Sequence, residues 1–164
     1  MMIKRPFFVF SIFAFFLLIT ACQTIEQTSI EVKVPVQEEE KEITEEERIK
    51  TLFLEQLELN MSESEVRGLF GTSFSLIENA MQGNESWRYD FGTRQGYKFD
   101  DQGIDQVDME GLKMGDIQQQ LFIDWSKEGN VISAALYMRS TDGDGYFEFE
   151  LLADNTRGER LYHY

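Results

Sequence analysis

The clearest helix signals in this chain lie in the stretch Leu57-Glu58-Leu59-Asn60-Met61-Ser62-Glu63-Ser64-Glu65-Val66-Arg67-Gly68-Leu69-Phe70-Gly71. Ser62 and Glu65 form the S/T-x-x-E pattern of a capping box, which predicts that a helix begins after Ser62. Three apolar residues then fall on one face of that helix: Val66, Leu69 and Phe70. Gly71 can adopt the left-handed conformation that ends a helix, so the stretch predicts two helical turns with one buried face.

Another helix is predicted just before this stretch. Thr44 and Glu47 form a second capping box. The apolar residues that follow recur at helical spacing: Ile49, Leu52, Phe53 and Leu57. The two patterns predict a pair of N-terminal helices that share one core.

Strand patterns follow the helices. Trp87, Tyr89 and Phe91 alternate with polar residues, as in a half-buried strand. Strand-turn-strand units with Gly-containing turns are predicted at residues 97–104 and 121–131. Further strands are predicted at 132–138 and 147–151 and, as a short edge strand, at 161–164. Residues 105–118 show no clear period, and a loop across one sheet edge is the interpretation.

Together these patterns predict the fold class of residues 44–164. It is α+β, with two N-terminal helices packed on an antiparallel sheet of four to six strands.

Residues 57–91 resemble the signature of the SmpA/OmlA family, which has the fold of BamE. The resemblance is carried by an apolar residue, a Met-Ser pair, Glu-Val and Leu-Phe-Gly, followed by a Trp-x-Tyr strand that begins at Trp87. The family usually has Gly where this chain has Asn60, but Asn also tolerates positive φ. The resemblance implies a BamE-like domain at residues 44–164 with a protein-binding role.

The N-terminus has the layout of a secretory signal peptide at residues 1–21. Lys4 and Arg5 precede an apolar run that is too short to span a bilayer. The order Ile19-Thr20-Ala21-Cys22 resembles the lipobox of bacterial lipoproteins, which implies cleavage before Cys22 and a diacylglyceryl group on its thiol. The alternatives are an ordinary cleaved signal or an uncleaved anchor helix.

This N-terminus predicts an extracytoplasmic protein held to a bacterial membrane by acyl chains. The location is the outer face of the cytoplasmic membrane in a Gram-positive source and the outer membrane in a Gram-negative one. Residues 22–43 combine the lipidated cysteine with a polar, acidic segment, and this composition predicts a disordered tether.

Charge and composition narrow the classes of partner. The formal net charge is −15, and removal of Lys4 and Arg5 with the signal makes it more negative. Such a charge argues against binding to nucleic acid or to anionic lipid heads. The only cysteine is the lipidation candidate, so no intramolecular disulfide is expected.

Catalysis is not predicted. The only histidine, His163, stands next to the C-terminus, so a serine nucleophile lacks a base in the body of the domain. A glycosidase-type carboxylate pair stays possible among 30 acidic residues. Asp142-x-Asp144-Gly145 and Asp100-Asp101 suggest calcium, but turn chemistry explains them equally well. We therefore expect no enzyme, metal or cofactor.

The function predicted is a non-enzymatic protein-binding or envelope-assembly module. The alternative is a lipoprotein that binds a small molecule or a cell-wall polymer. Candidate contacts for either role are the aromatic residues Trp87, Tyr89, Tyr137 and Tyr146. For the first two, packing beneath the helices is the competing interpretation.

Replacing the cysteine tests the anchor. Cys22→Ser should release the protein from the membrane fraction without unfolding the domain, because the acyl chains and not the protein surface hold it there. Fractionation and circular dichroism measure the two effects. Stable membrane association of Cys22→Ser would contradict the lipid anchor.

Overall fold

The computed structural model describes residues 43–164. The predicted signal peptide at 1–21, the lipid site at Cys22 and, except for Ile43, the tether at 22–43 lie outside the described residues. Within this range no helix is both long enough and apolar enough to cross a membrane.

The described chain begins with two helices. Helix α1 (Glu45–Thr51) begins where the Thr44 hydroxyl accepts a hydrogen bond from the Glu47 N–H at 3.2 Å. It continues into a π-helical turn (Leu52–Gln56), and helix α2 (Glu63–Phe70) follows. Each of these helices begins directly after a residue of a capping pattern, Thr44 or Ser62.

Helix α2 shows how the local sequence sets its ends. The Glu65 carboxylate accepts hydrogen bonds from the Ser62 N–H at 2.8 Å and from the Ser62 hydroxyl at 2.7 Å. These bonds lower the pKa of Glu65. Gly71 has a φ of 87° but a ψ of −168°, so it turns the chain into an extended path and not into the left-handed helical conformation that we predicted.

In the described residues, six strands form one sheet in which every neighbouring pair is antiparallel and the spatial order follows the chain. The strands are β1 (Ser75–Glu78), β2 (Glu85–Phe91), β3 (Gln119–Trp125), β4 (Val131–Arg139), β5 (Gly145–Leu151) and β6 (Arg157–His163). Helix α3 (Met109–Met114) stands between β2 and β3 in the sequence. The α+β class with an antiparallel sheet is confirmed, and six strands fall within the predicted four to six.

The prediction for residues 97–104 is wrong. This segment forms no strand pair; only Ile104 makes an isolated parallel bridge, to Glu78. Its polar side chains instead bond to other parts of the domain: Tyr97 donates to Asp108 at 2.7 Å, and Asp101 pairs with Arg88. The loop predicted at 105–118 contains the short helix α3, and the edge strand predicted at 161–164 is found at 161–163 as the end of the longer β6.

The core lies on one face of the sheet. Its buried members are Ile49, Phe53, Leu57, Val66, Phe70, Trp87, Tyr89, Leu121, Ile123, Trp125, Val131, Ala134, Leu136, Phe149 and Leu151. The first five come from the helices, the π-helical turn and the residue directly after that turn, and the others come from the strands. Burial of this apolar surface is the main term that stabilises the fold.

Two sets of long-range hydrogen bonds fasten the helical region to the sheet. The Asn60 N–H donates to the Val131 carbonyl, and the Val131 N–H donates to the Met61 carbonyl, both at 2.9 Å. Asn60 has a φ of 67°, the positive value that its side chain tolerates. At the other end, the Arg157 guanidinium of β6 donates to the backbone carbonyls of Phe53 and Leu57.

A pair of leucine substitutions tests this core. Leu136 is 0% exposed and Leu76 is 64% exposed. Leu136→Ala should lower the free energy of unfolding by about 2–5 kcal/mol, because it leaves a cavity. Leu76→Ala should change it by no more than about 0.5 kcal/mol. Urea denaturation measures both, and equal effects would contradict the burial assigned to the two side chains.

Candidate functional site

The face of the sheet opposite the core carries a row of tyrosines, which we call the tyrosine row: Tyr137, Tyr146, Tyr162 and Tyr164. The strand registers bring the first three together, because Tyr146 pairs with Arg139, two residues from Tyr137, and directly with Tyr162. Ring centroids of Tyr146 lie 6.2 Å from Tyr137, 5.0 Å from Tyr162 and 5.9 Å from Tyr164. The four rings form one continuous aromatic surface.

The Glu148 carboxylate fixes two side chains of the tyrosine row. Its two carboxylate oxygens accept hydrogen bonds from the Tyr137 hydroxyl at 2.8 Å and the Tyr162 hydroxyl at 2.9 Å. Guanidinium nitrogens of Arg160 lie 3.5 Å from a carboxylate oxygen of Glu148 and 3.0 Å from one of Glu150, so Arg160 balances part of the negative charge of these two glutamates. Two hydroxyls of the row are therefore already satisfied, and what the row offers to a ligand is mainly ring surface.

The same environment changes how the tyrosines ionise. Burial, together with the hydrogen bond to Glu148, raises the pKa of Tyr137. Burial and the charge of Glu148 also raise the pKa of Tyr146. The Tyr137 hydroxyl consequently stays neutral well above physiological pH and keeps its donor role toward Glu148.

Trp87 and Tyr89 do not belong to this surface. Each is 1% exposed, and they lie in the core on the opposite face of the sheet. The Tyr89 hydroxyl donates to the Gly71 carbonyl at 3.2 Å, and burial raises the pKa of Tyr89 to about 12. We therefore remove both from the candidate contacts and keep Tyr137 and Tyr146.

Sequence reasoning missed Tyr162, Tyr164 and Glu148. A signal was present, because Tyr162 and Tyr164 stand two residues apart and alternate residues of a strand share one face. The pairing of β5 with β6, which places Tyr162 beside Tyr146, was the missing information.

The residues considered for catalysis and calcium do not form a metal site in the described part of the chain. No group of three or more His, Cys, Asp or Glu residues in it is placed to hold a metal ion. Hydrogen bonds from Ser140 and from Asp144 lower the pKa of Asp142 to about 2. His163 is exposed and lies 3.8 Å from Asp144. These contacts are those of an ordinary polar turn and strand end.

Comparison of the chain with protein-family models, with curated proteins and with solved structures finds no match.

The ionisation of Tyr137 gives a test of the tyrosine row. Because its folded-state pKa is raised, Tyr137 adds stability that is complete below pH 10.0, the ordinary value, and is lost as the pH rises above it. Tyr137→Phe has no proton to lose, so its stability should fall less steeply above this pH. Urea denaturation at pH 8 to 11, in steps of about half a unit, measures the slope. Identical slopes for both proteins would contradict the environment assigned to Tyr137.

Proposed function

We propose that this protein is a bacterial lipoprotein, anchored at Cys22, whose α+β domain binds another protein of the cell envelope and catalyses no reaction. The observation that carries the proposal is the tyrosine row on a sheet face opposite the core. Tyrosine is enriched at protein interfaces because its ring gives a large contact area at low cost in side-chain entropy. The row therefore suits a protein partner.

The fixed geometry of the row favours binding. Tyr137 and Tyr162 are held by Glu148, and Tyr146 is stacked on Tyr162 with an angle of 15° between the rings. Side chains that are already ordered lose little conformational entropy when a partner binds. The hydroxyls of Tyr137 and Tyr162, which already donate to Glu148, also need no new acceptor in the interface.

The proposal extends to the fold of the domain. We propose that the two N-terminal helices and the sheet form a BamE-like domain, in which residues 57–91 carry the resemblance. The positive φ of Asn60, at the position where the family usually has Gly, supports this proposal. The resemblance implies a protein-binding role. The tyrosine row supports the same role independently.

The proposed location follows from the sequence of the N-terminus. An acyl anchor at Cys22 and about 20 residues of polar chain would let the domain move up to about 65 Å from the membrane surface. The strong negative charge keeps it from adhering to anionic lipid heads, so the row stays available to a partner.

A crosslinking pull-down from intact cells tests this function. Tyr146→Ala should reduce, at least tenfold, the yield of a protein that is recovered with the wild type, because it removes the central ring of the tyrosine row. The substitution leaves both hydrogen bonds to Glu148 in place. Leu76→Ala, an exposed substitution on β1 at the far edge of the sheet, is the control and should recover the partner normally. If Tyr146→Ala recovers the same protein as the wild type, the row is not the binding surface.

A further inference from the structure

Strand β6 forms one edge of the sheet, and this edge is open. It is the last strand in the spatial order and pairs with β5 in a continuous register. No backbone hydrogen bond from another described element reaches its outer side. At the opposite edge, the Glu78 N–H of β1 donates to the Gly103 carbonyl at 2.9 Å, and the Asp105 N–H donates to the Glu78 carbonyl at 3.1 Å. A loop therefore covers part of β1, whereas β6 is uncovered within residues 43–164.

The register between β5 and β6 shows which backbone groups lie on the open side. The Tyr164 N–H donates to the Asp144 carbonyl at 3.1 Å, which continues the register of the two strands as a hydrogen-bonded pair. Hydrogen-bonded pairs alternate along an antiparallel ladder, so every second residue of β6 bonds to β5. The residues between them direct their N–H and carbonyl groups to the open side: Arg157, Glu159, Leu161 and His163.

An open edge of this kind can bind a further strand, because its free donors and acceptors form a ladder with an extended segment. Natural sheets block such edges with proline, lysine, a bulge or a very short strand. Strand β6 runs from Arg157 to His163, contains neither proline nor lysine, and pairs with β5 without a bulge. Its three charged residues then decide which strand fits: Arg157, Glu159 and Arg160.

A second copy of β6 fits these charges in one register. Side chains directly opposite each other interact, and like charges there are unfavourable. An antiparallel pair centred on Glu159 sets two carboxylates opposite each other, and one centred on Arg160 does the same with two guanidinium groups. A pair centred on Leu161 opposes no like charges and extends over residues 158–164. Pairs centred nearer to either end of β6 cover fewer residues of the strand.

The pair centred on Leu161 places complementary side chains opposite each other. Glu159 of each copy faces His163 of the other, so a carboxylate that only accepts hydrogen bonds meets a ring N–H. Arg160 faces Tyr162, and a guanidinium is attracted to the face of an aromatic ring. At the centre, Leu161, which is 47% exposed, lies against its own copy and loses apolar surface to water.

We propose that two copies of this chain join through β6, in the antiparallel register centred on Leu161, and form a two-fold dimer with one continuous sheet. The two-fold axis is perpendicular to the sheet, so the tyrosine rows of both copies lie on the same face. The dimer goes beyond the proposed protein partner and does not rest on it, because the backbone of β6 and not the ring surface joins the copies.

A single introduced cysteine tests the dimer and its register. In the proposed register Leu161 lies opposite its own copy, with Cα atoms about 5.5 Å apart, a separation that a disulfide can bridge. Mild oxidation of intact cells that make the full-length Leu161→Cys protein should therefore give a disulfide-linked dimer on non-reducing electrophoresis. The wild type, in which Cys22 is the only cysteine, is treated in the same way as a control.

Glu159→Cys is the matched control on the same side of the same strand. In the proposed register the two copies of residue 159 are four residues apart along the strand, about 14 Å, which is too far for a disulfide. Leu161→Cys should give at least tenfold more linked dimer than Glu159→Cys or the wild type. The proposal is overturned if the two positions give equal yields, if Leu161→Cys gives no dimer, or if its linked product contains a different protein in place of the second copy.

A proline on the open side tests the backbone ladder. In the Leu161→Cys background, Glu159→Pro removes an N–H that faces the open side and not β5, whereas Glu159→Ala keeps it. Glu159→Pro should lower the yield of linked dimer at least tenfold relative to Glu159→Ala, while circular dichroism shows the same fold for both. An equal yield from these two proteins would contradict the ladder. The pull-down with Tyr146→Ala measures the tyrosine row separately, so failure of the dimer and failure of the protein-binding role are distinguishable.

Discussion

The packing of Trp87 is the contact on which the two faces of the sheet depend. Its indole stacks on Phe74 at 3.9 Å and lies 4.5 Å from Trp125, with the Arg67 guanidinium of α2 at 4.5 Å. These contacts hold α2 on β2 and fix which way β2 faces. Since neighbouring residues of a strand point to opposite faces, an inward Trp87 sends Arg88 to the other side.

Arg88 determines how much of the second face stays open. It is 5% exposed, and it pairs with Asp90 and Asp101 while Phe99 lies against its guanidinium at 5.3 Å. A buried charge is tolerated only with such partners, so the segment that supplies Asp101 and Phe99 is held against the sheet. That segment covers β2 on the face opposite the core. On the same face, the tyrosine row at the strands from β4 to β6 stays at the surface.

The features that could be predicted from the sequence are those set by neighbours in the chain. The starts of α1 and α2 follow from Thr44 and Ser62, and β2 follows from the alternation around Trp87. Helix α3 also had a local signal, because Asp108 accepts from the Gly111 N–H at 2.8 Å and Gly115 has a φ of 74°. That signal was missed because the helix is short and its apolar residues are irregularly spaced.

Other features depend on contacts between distant residues and could not be predicted in this way. The alternation at residues 97–104 resembles a strand, but the bonds of Tyr97 and Asp101 to distant residues replace the strand pairing. The tyrosine row likewise requires the register of β4, β5 and β6. A single sequence contains the residues of each site but not the pairing that assembles them.

The bonds from Arg157 to the carbonyls of Phe53 and Leu57 have a consequence for how the chain completes its fold. Most strand pairs here join neighbours in the sequence, which favours rapid formation of the sheet. The first helical segment, however, is bonded to Arg157 of the last strand, so its contacts are complete only when that strand is present. A chain that is still being synthesised lacks this final contact. The domain therefore reaches its full stability only after the last strand has been made.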